Sequence, residues 1–332
     1  MNFLRKILFP FSILYGCITS FRNFLFDKGI LQSYSFEVPI IAVGNLSVGG
    51  TGKTPQIEYL IRLLAPNYKI ATLSRGYKRK SEGFVLADAN STAEILGDEP
   101  FQIHQKFPQI KVAVDADRKN GIEKLLSIKD KPEVILLDDA FQHRRVKAGF
   151  YILLSAYGDL FCDDFLLPTG NLRESRKGAK RADVIIITKC PKDLSEIAQQ
   201  NIKNKIGLEV PIYFSYIDYD DLVYNSKESK KVSEIKLLNK LVIAGIAKPE
   251  PFFAYLEVSK DDCLVYPDHH FFTEKDLNQI ENKANNKVII TTEKDFVRLM
   301  QHPWKKPIYY LPIKSSFILN REELNNKILN NI

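Results

Sequence analysis

At 332 residues, 45% hydrophobic and 26% charged, the chain is long enough for two packed domains and too apolar to be disordered. Its formal charge of +7 points to anionic partners such as phosphates, nucleic acid or an acidic membrane face, although a weak basic bias with no partner gives the same number. Four cysteines (Cys17, Cys162, Cys190 and Cys263) lie far apart with no C-x-x-C pair, which argues against a zinc site or a disulfide framework and fits a reducing cytosol.

The first element in chain order is "ILFPFSILYGCITSF", residues 7–21, an almost uncharged run between Arg5/Lys6 and Arg22. As a helix it spans roughly 22 Å at about 1.5 Å per residue, short of a hydrocarbon core of about 30 Å, and Pro10 is expected to interrupt it. A signal peptide needs a small-residue cleavage site, whereas "RNFLFDKG" follows. Two readings stay open from the residues alone. One is a helix packed in the core; the other is a helix lying on a membrane surface, where Arg5, Lys6, Arg22 and Lys28 add about 1 kcal/mol each on an anionic leaflet.

"VPIIAVGN" (38–45) reads as a buried strand, and "TPQIEYLIRLLA" carries Ile57, Leu60, Ile61 and Leu64 at helical spacing, with Pro55 suited to a first turn. Between them stands the Gly-rich stretch "GNLSVGGTGKTP". It departs from the usual phosphate-loop pattern by having Ser47 where the first glycine belongs. Further apolar strands follow at 69–74, 110–115, 133–139, 150–156 and 183–189, separated by helices or loops, so a mostly parallel sheet flanked by helices is expected. A polar, weakly periodic stretch at 216–237 reads as a linker, and 238–332 as a second, smaller α/β domain after a main domain at 29–215.

A strand, a Gly-rich loop ending in Gly52-Lys53-Thr54 and a helix form the context that a P-loop requires. Backbone N–H groups from Gly49, Gly50, Thr51 and Gly52 would face phosphates, Lys53 would reach the β- and γ-phosphates, and the Thr54 hydroxyl would ligate Mg²⁺. "VILLDD" then runs into Asp138-Asp139, the placement that sets a carboxylate beside the loop for Mg²⁺. The fold class is therefore α/β and P-loop NTPase-like, with a second smaller α/β domain, and the site is one for a nucleotide and Mg²⁺. Polar clusters at 74–79, 97–100, 115–118, 138–145 and 169–175 fall at strand ends, where open α/β sheets bind ligands. A solvated salt-bridge network accounts for any one of them, though less readily for all five together.

"GNLSVGGTGKTP", "SRGY", "GDEP", "DDAFQHRR", "PTGNLRE", "PDHH" and "TTEKD" in this order resemble the tetraacyldisaccharide 4'-kinase family and cover roughly residues 1–300. The resemblance implies transfer of the ATP γ-phosphoryl group to the 4'-hydroxyl of a tetraacylated glucosamine disaccharide 1-phosphate. It also implies an N-terminal membrane-associating helix (1–28) and a peripheral position on the cytoplasmic face of the bacterial inner membrane, with that surface and the lipid as partners and no nucleic acid. By motif, Lys53 and Thr54 serve nucleotide and Mg²⁺, Asp138 is the Mg²⁺-side carboxylate with Asp139 beside it, and Asp98 is the catalytic base. His269 of "PDHH" is the histidine that partners that base from the second domain, with His270 as the alternative. Tyr77, Arg118, Gln142, His143, Arg173 and Glu174 face substrate or phosphate. Ala140 where a glycine is usual, and Asn171 before "LRE", depart from the family pattern and bear on loop geometry rather than on reacting groups.

Other readings explain less. A partitioning or metal-chaperone ATPase carries a signature lysine where Val48 stands. A GTPase needs Asn-Lys-x-Asp where this chain has Thr188-Lys189-Cys190-Pro191. A membrane or nucleic-acid adaptor leaves the P-loop and the paired aspartates without a purpose, and lacks aromatics interleaved on a basic stripe.

Overall fold

Alternate residues of the apolar strands feed opposite faces of one sheet, so helices must cover both sides. Ile41, Val43 and Leu136 enter one core cluster, and Ile40, Ala42, Ile135 and Leu137 enter another. The computed structural model describes residues 5, 7–225, 227–268, 270–300, 302–304 and 306–332.

In chain order the first part contributes α1 (Phe9–Asp27), β1 (Ile40–Asn45), α2 (Lys53–Leu64), β2 (Ile70–Ser74) and β3 (Val85–Leu86). It continues with α3 (Ala93–Leu96), α4 (Asp98–Lys106), β4 (Lys111–Val114), α5 (Arg118–Ser127) and β5 (Val134–Asp138). β6 (Phe150–Ala156), β7 (Val184–Thr188), α6 (Glu196–Ile206) and β8 (Ile212–Tyr219) complete it. Then come β9 (Leu222–Tyr224), β10 (Ser229–Lys231), α7 (Val232–Leu237), β11 (Lys240–Ala244), α8 (Glu250–Tyr255) and β12 (Cys263–Val265). After α9 (Glu274–Ala284), β13 (Val288–Thr292), α10 (Glu293–Leu299) and β14 (Ile308–Leu311), the chain closes with β15 (Ile313–Phe317) and α11 (Arg321–Leu329).

Two units result, residues 1–217 with 315–332, and residues 218–314. The first holds the sheet β15-β8-β7-β6-β1-β5-β2-β4-β3, in which β1 pairs in parallel with both β5 and β6. The second is built on β10-β9-β14-β13-β11-β12, parallel except where β9 pairs with β10 and β14.

Three local features differ from the sequence expectation. Residues 216–237 form the end of β8, strands β9 and β10, and α7, rather than a linker. Their polarity is that of short, partly solvated strands beside a sheet edge, which β10 forms. The last residues, expected in the smaller unit, return to the larger one. Leu324 and Ile328 are fully buried in the cluster of Ile57, Leu60 and Ile61, and Tyr59 Oη bonds Asn325 at 2.5 Å. Each fully buried aliphatic side chain there contributes about 1.5–3 kcal/mol. Pro10 does not interrupt the first helix. It lies in the first turn of α1, where its missing N–H leaves no bond unmade, so the helix runs unbroken to Asp27.

That helix is inside out. Ser12 and Phe26 are its buried residues, while Phe11, Ile18 and Phe21 are 62%, 60% and 62% exposed. The inward side is polar and bonded. Ser12 Oγ donates to Thr169 Oγ1 (2.7 Å), Tyr15 Oη to the Arg173 carbonyl (2.8 Å), and Asn23 Nδ2 to Glu174 Oε2 (2.8 Å). Among the described residues no helix is long and apolar enough to cross a membrane.

Candidate active site

β1 and β5 lie side by side with Val43 opposite Asp138, so the Gly-rich loop and the paired aspartates leave the sheet at the same edge. β1 hands directly into the loop and α2 begins at Lys53, which leaves the loop N–H groups at a helix N-terminus. Gly52 caps that helix at φ +83, a left-handed conformation that L side chains rarely adopt, so glycine is required there. At Gly44 the demand is space, because a Cβ would lie 2.7 Å from Phe141 Cβ and 2.9 Å from its nitrogen.

Ser47 needs neither freedom. It is buried and pairs with Leu172, while Val48 N donates to the Asn171 carbonyl (2.8 Å) and Arg173 N to the Leu46 carbonyl (2.7 Å). The first half of the loop is thus an extended segment held against residues 171–173. Those same residues lie in the loop that receives Ser12 and Tyr15 of α1 and the guanidinium of Arg5, whose Nη2 donates to the Gly170 carbonyl (2.7 Å) and Asn171 Oδ1 (3.1 Å). One loop braces both the phosphate loop and the inside-out helix. The departure at Asn171 is part of that brace. Ala140 is accommodated because the left-handed residue of the pair turn is its neighbour Asp139, at φ +49.

Lys53 Nζ donates to Asn45 Oδ1 (3.3 Å) and lies 3.5 Å from Asp139 Oδ1. Arg173 grips Asp139 with both guanidinium nitrogens, at 3.0 and 2.8 Å, and donates to Asn45 Oδ1 at 2.6 Å. Burial works to raise the Asp139 pKa, but Arg173 and Lys53 outweigh it and hold that carboxyl below its ordinary value. Asp138 goes the other way. It is buried, and desolvation followed by the nearby Glu99 pushes its pKa up against the pull of Lys53 and Arg118. Two adjacent carboxyls are driven apart by their surroundings.

Gln142 Nε2 donates to the Asn45 carbonyl (2.8 Å) and to Glu174 Oε1 (3.1 Å). Glu174 also accepts from Arg181 (2.7 Å) and Asn23 (2.8 Å), so this buried carboxylate organises the site more than it faces a ligand. Arg118 is buried too, with its terminal nitrogens on the carbonyls of Asp115 (2.7 Å) and Asp138 (3.0 Å). Tyr15, Thr19, Arg22, Asn23, Gln142, Arg173 and Glu174 line a cleft of about 280 Å³. Asp98 opens α4 and is half-buried, with Glu99 beside it facing Asp138. The "SRGYKR" segment runs against this region, the Tyr77 carbonyl oxygen standing 3.1 Å from where a Gly97 Cβ would be, but the Tyr77 side chain is 73% exposed and outside the cluster. His269 lies outside the described residues. His270 is engaged within its own unit by Asp276 (3.0 Å) and stacks on Tyr266.

His143 is half-buried, and burial followed by the Arg118 charge presses its pKa from 6.5 down to about 4. Arg145 and Arg22 push the same way, and Asp117 opposes them. The folded chain therefore keeps this ring neutral while the unfolded chain takes up a proton. Stability is complete above about pH 6.5 and declines as pH falls toward 4. His143→Asn is expected to flatten the fall in Tm between pH 6.5 and 4.5, read by thermal melts across that range. An unchanged slope would remove His143 from the acid response.

Sequence reasoning missed Asn45, which joins Lys53 to Arg173, and Glu99, which faces Asp138. Both belong to the motifs above, and Glu99 is the direct neighbour of Asp98.

Comparison with known proteins extends the motifs to the whole chain. A family model described as tetraacyldisaccharide-1-P 4'-kinase matches residues 4–332. Proteins named tetraacyldisaccharide 4'-kinase from Flavobacterium psychrophilum and Flavobacterium johnsoniae are 66% and 65% identical, each covering 99% of this chain and 97% of their own length. The relative of the same name from Bacteroides thetaiotaomicron is 48% identical over 98% of this chain and 92% of its own length. The crystal structure of LpxK from Aquifex aeolicus in complex with ATP superposes with a TM-score of 0.80 at 31% identity, covering 99% of both chains. With the phosphate loop, the paired aspartates and the bracing loop in place along its length, the chain belongs to the tetraacyldisaccharide-1-P 4'-kinase family.

Proposed function

We propose that this protein transfers the γ-phosphoryl group of ATP to the 4'-hydroxyl of a tetraacylated glucosamine disaccharide 1-phosphate at a membrane surface. The observation that carries the reading is the convergence of Lys53, Asn45, Asp139 and Arg173 at the mouth of a phosphate loop, in a chain matched end to end by this kinase family.

The residues divide the work. Lys53 and the loop N–H groups bind the phosphates, and its present partners Asn45 and Asp139 hold the ammonium at the loop mouth. Arg173, clamped on Asp139, places a second positive charge where charge spreads over the transferring group. Asp98, at a helix N-terminus, is the carboxylate to which this reading gives the acceptor hydroxyl proton. Mg²⁺ fits the donor set, since Asp138 Oδ1 is buried without a hydrogen-bond partner among the described residues. Magnesium commonly takes one or two protein oxygens and completes its shell with phosphates and water. Asp138 and Thr54 would hold it, and when bound it neutralises charge on the phosphate oxygens.

The cleft between α1 and Gln142, Arg173 and Glu174 suits a polar sugar head group, and the exposed apolar side of α1 suits the surrounding acyl layer. The enzyme would then act as a peripheral protein on the cytoplasmic face of the inner membrane. Its assay uses purified protein, ATP, Mg²⁺ and a detergent-dispersed tetraacyl disaccharide 1-phosphate. A bisphosphorylated product is expected; none, together with ATP hydrolysis indifferent to lipid, overturns the reading.

Deleting α1 would strip bonds from the site, so point substitutions test the membrane role more cleanly. Phe11→Asp with Ile18→Asp changes two exposed side chains. Each loses about 1.5–3 kcal/mol of apolar transfer and gains a charge repelled by anionic lipid. Cosedimentation with anionic vesicles is expected to fall at least tenfold while Tm stays within about 2 °C. Undiminished binding would show that α1 is not the anchor.

A further inference from the structure

The strand-end motif Thr188-Lys189-Cys190-Pro191, which matches no base-reading signature, lies against the phosphate loop. β7 sits two strands from β1, on the side away from β5, so it approaches the loop from the flank opposite Asp138 and Asp139. At its end the buried Thr188 Oγ1 donates to the Thr51 carbonyl at 2.7 Å, and its side chain fills the space in front of Gly52. The next residue, Lys189, takes φ +57, in the left-handed region that non-glycine residues seldom occupy. Its ammonium donates to the Gly50 carbonyl at 2.5 Å and stands 3.8 Å from where a Gly50 Cβ would be.

The left-handed backbone at Lys189 turns an exposed lysine back onto the phosphate loop. The same position is well suited to a polyphosphate lying along Gly49–Gly52, because an ammonium meets a full opposite charge on a phosphate and only a dipole on a carbonyl. One subclass of P-loops obtains a second cation from a lysine at the position of Val48, which is apolar here. Lys53 approaches from the Asp139 flank, so a cation on the β7 flank would complete the cradle from the other side.

We propose that Lys189 is a further nucleotide-phosphate-binding cation of this loop, delivered within the same chain from the end of β7 on the flank away from Lys53 and Arg173, and that Thr188 is the positioning residue that holds the loop to receive it. This rests on the kinase reading above. The ligand chemistry is the polyphosphate of a nucleotide, independent of its base.

The test compares full-length Lys189→Met and Lys189→Arg with the unaltered protein. It measures KM and kcat for ATP, the Kd for inorganic tripolyphosphate by calorimetry, and Tm. Loss of one charge-assisted contact is expected to raise KM for ATP and Kd for tripolyphosphate about 10- to 100-fold in Lys189→Met. Lys189→Arg should stay within about threefold and Tm should not move. Thr188→Val should raise KM for ATP, and Thr188→Ser should restore it. Tripolyphosphate affinity within twofold of the unaltered protein in Lys189→Met overturns the assignment, as does a weakening that Arg fails to rescue. If the unaltered protein transfers no phosphoryl group to the lipid, the kinase reading fails, whereas tripolyphosphate binding still decides the role of Lys189.

Discussion

Lys53→Met is expected to lower kcat/KM for ATP by about 10³-fold, the upper end for loss of one fixed positive contact to a transferring group. The effect is large because Lys53 is tied into the site at both ends. It opens α2, so its backbone helps form the phosphate-binding turn, and its ammonium is held by Asn45 and Asp139 at the loop mouth. The substitution removes the charge and keeps the aliphatic length, so the helix and its buried partners Ile57 and Leu60 should be undisturbed. Initial rates of phosphoryl transfer, with a melt to verify folding, provide the measurement. A variant within tenfold of the unaltered protein would detach Lys53 from the reaction.

Asp98→Ala is expected to cut kcat about 10²- to 10⁴-fold, the usual worth of a positioned base, with ATP affinity within about twofold. Asp98 stands at the first residue of α4, where the positive end of the helix favours negative charge, and its neighbour Glu99 faces Asp138. This puts it beside the nucleotide site without making it part of the phosphate loop. The split between kcat and ATP binding therefore tells a base from a nucleotide ligand. Lost ATP affinity with kcat intact would make Asp98 a binding residue.

What the chain order revealed and what it hid follow physical lines. The strand, loop and helix around residues 38–64 were readable because each signal is local: apolar β-branched residues, glycines at a tight turn, then apolar residues three and four apart. The parallel strands at 69–74, 133–139 and 150–156 were readable because burial on both faces makes them continuous apolar runs. β9 and the edge strand β10 carry no such signal, since each is only three residues long and most of their side chains are not buried. The hub joining Asn45, Lys53, Asp139 and Arg173 was hidden for a different reason: its members are up to 128 residues apart, and only folding brings them together. In α1 the apolar run was plain but its direction was not. The clue was the polar set Ser12, Tyr15, Thr19 and Asn23, spaced by threes and fours, which marks the side that packs inward.

The return of the C-terminus to the larger unit has a consequence for biosynthesis. β15 and α11 are made after the smaller unit, yet Leu324 and Ile328 sit in the core around α2, and Gln56 on that helix bonds Ser315 at 2.5 Å. Between residue 217 and residue 332 lie 332 − 217 = 115 residues, about 6–23 s of translation at about 5–20 residues per second. During that interval the nascent phosphate-binding helix has an open apolar face, while the intervening unit can emerge whole and fold. The nucleotide site is therefore finished only once residues 315–332 have been made, and a polypeptide stopped after residue 314 would carry every catalytic motif without the packing that holds the loop in place.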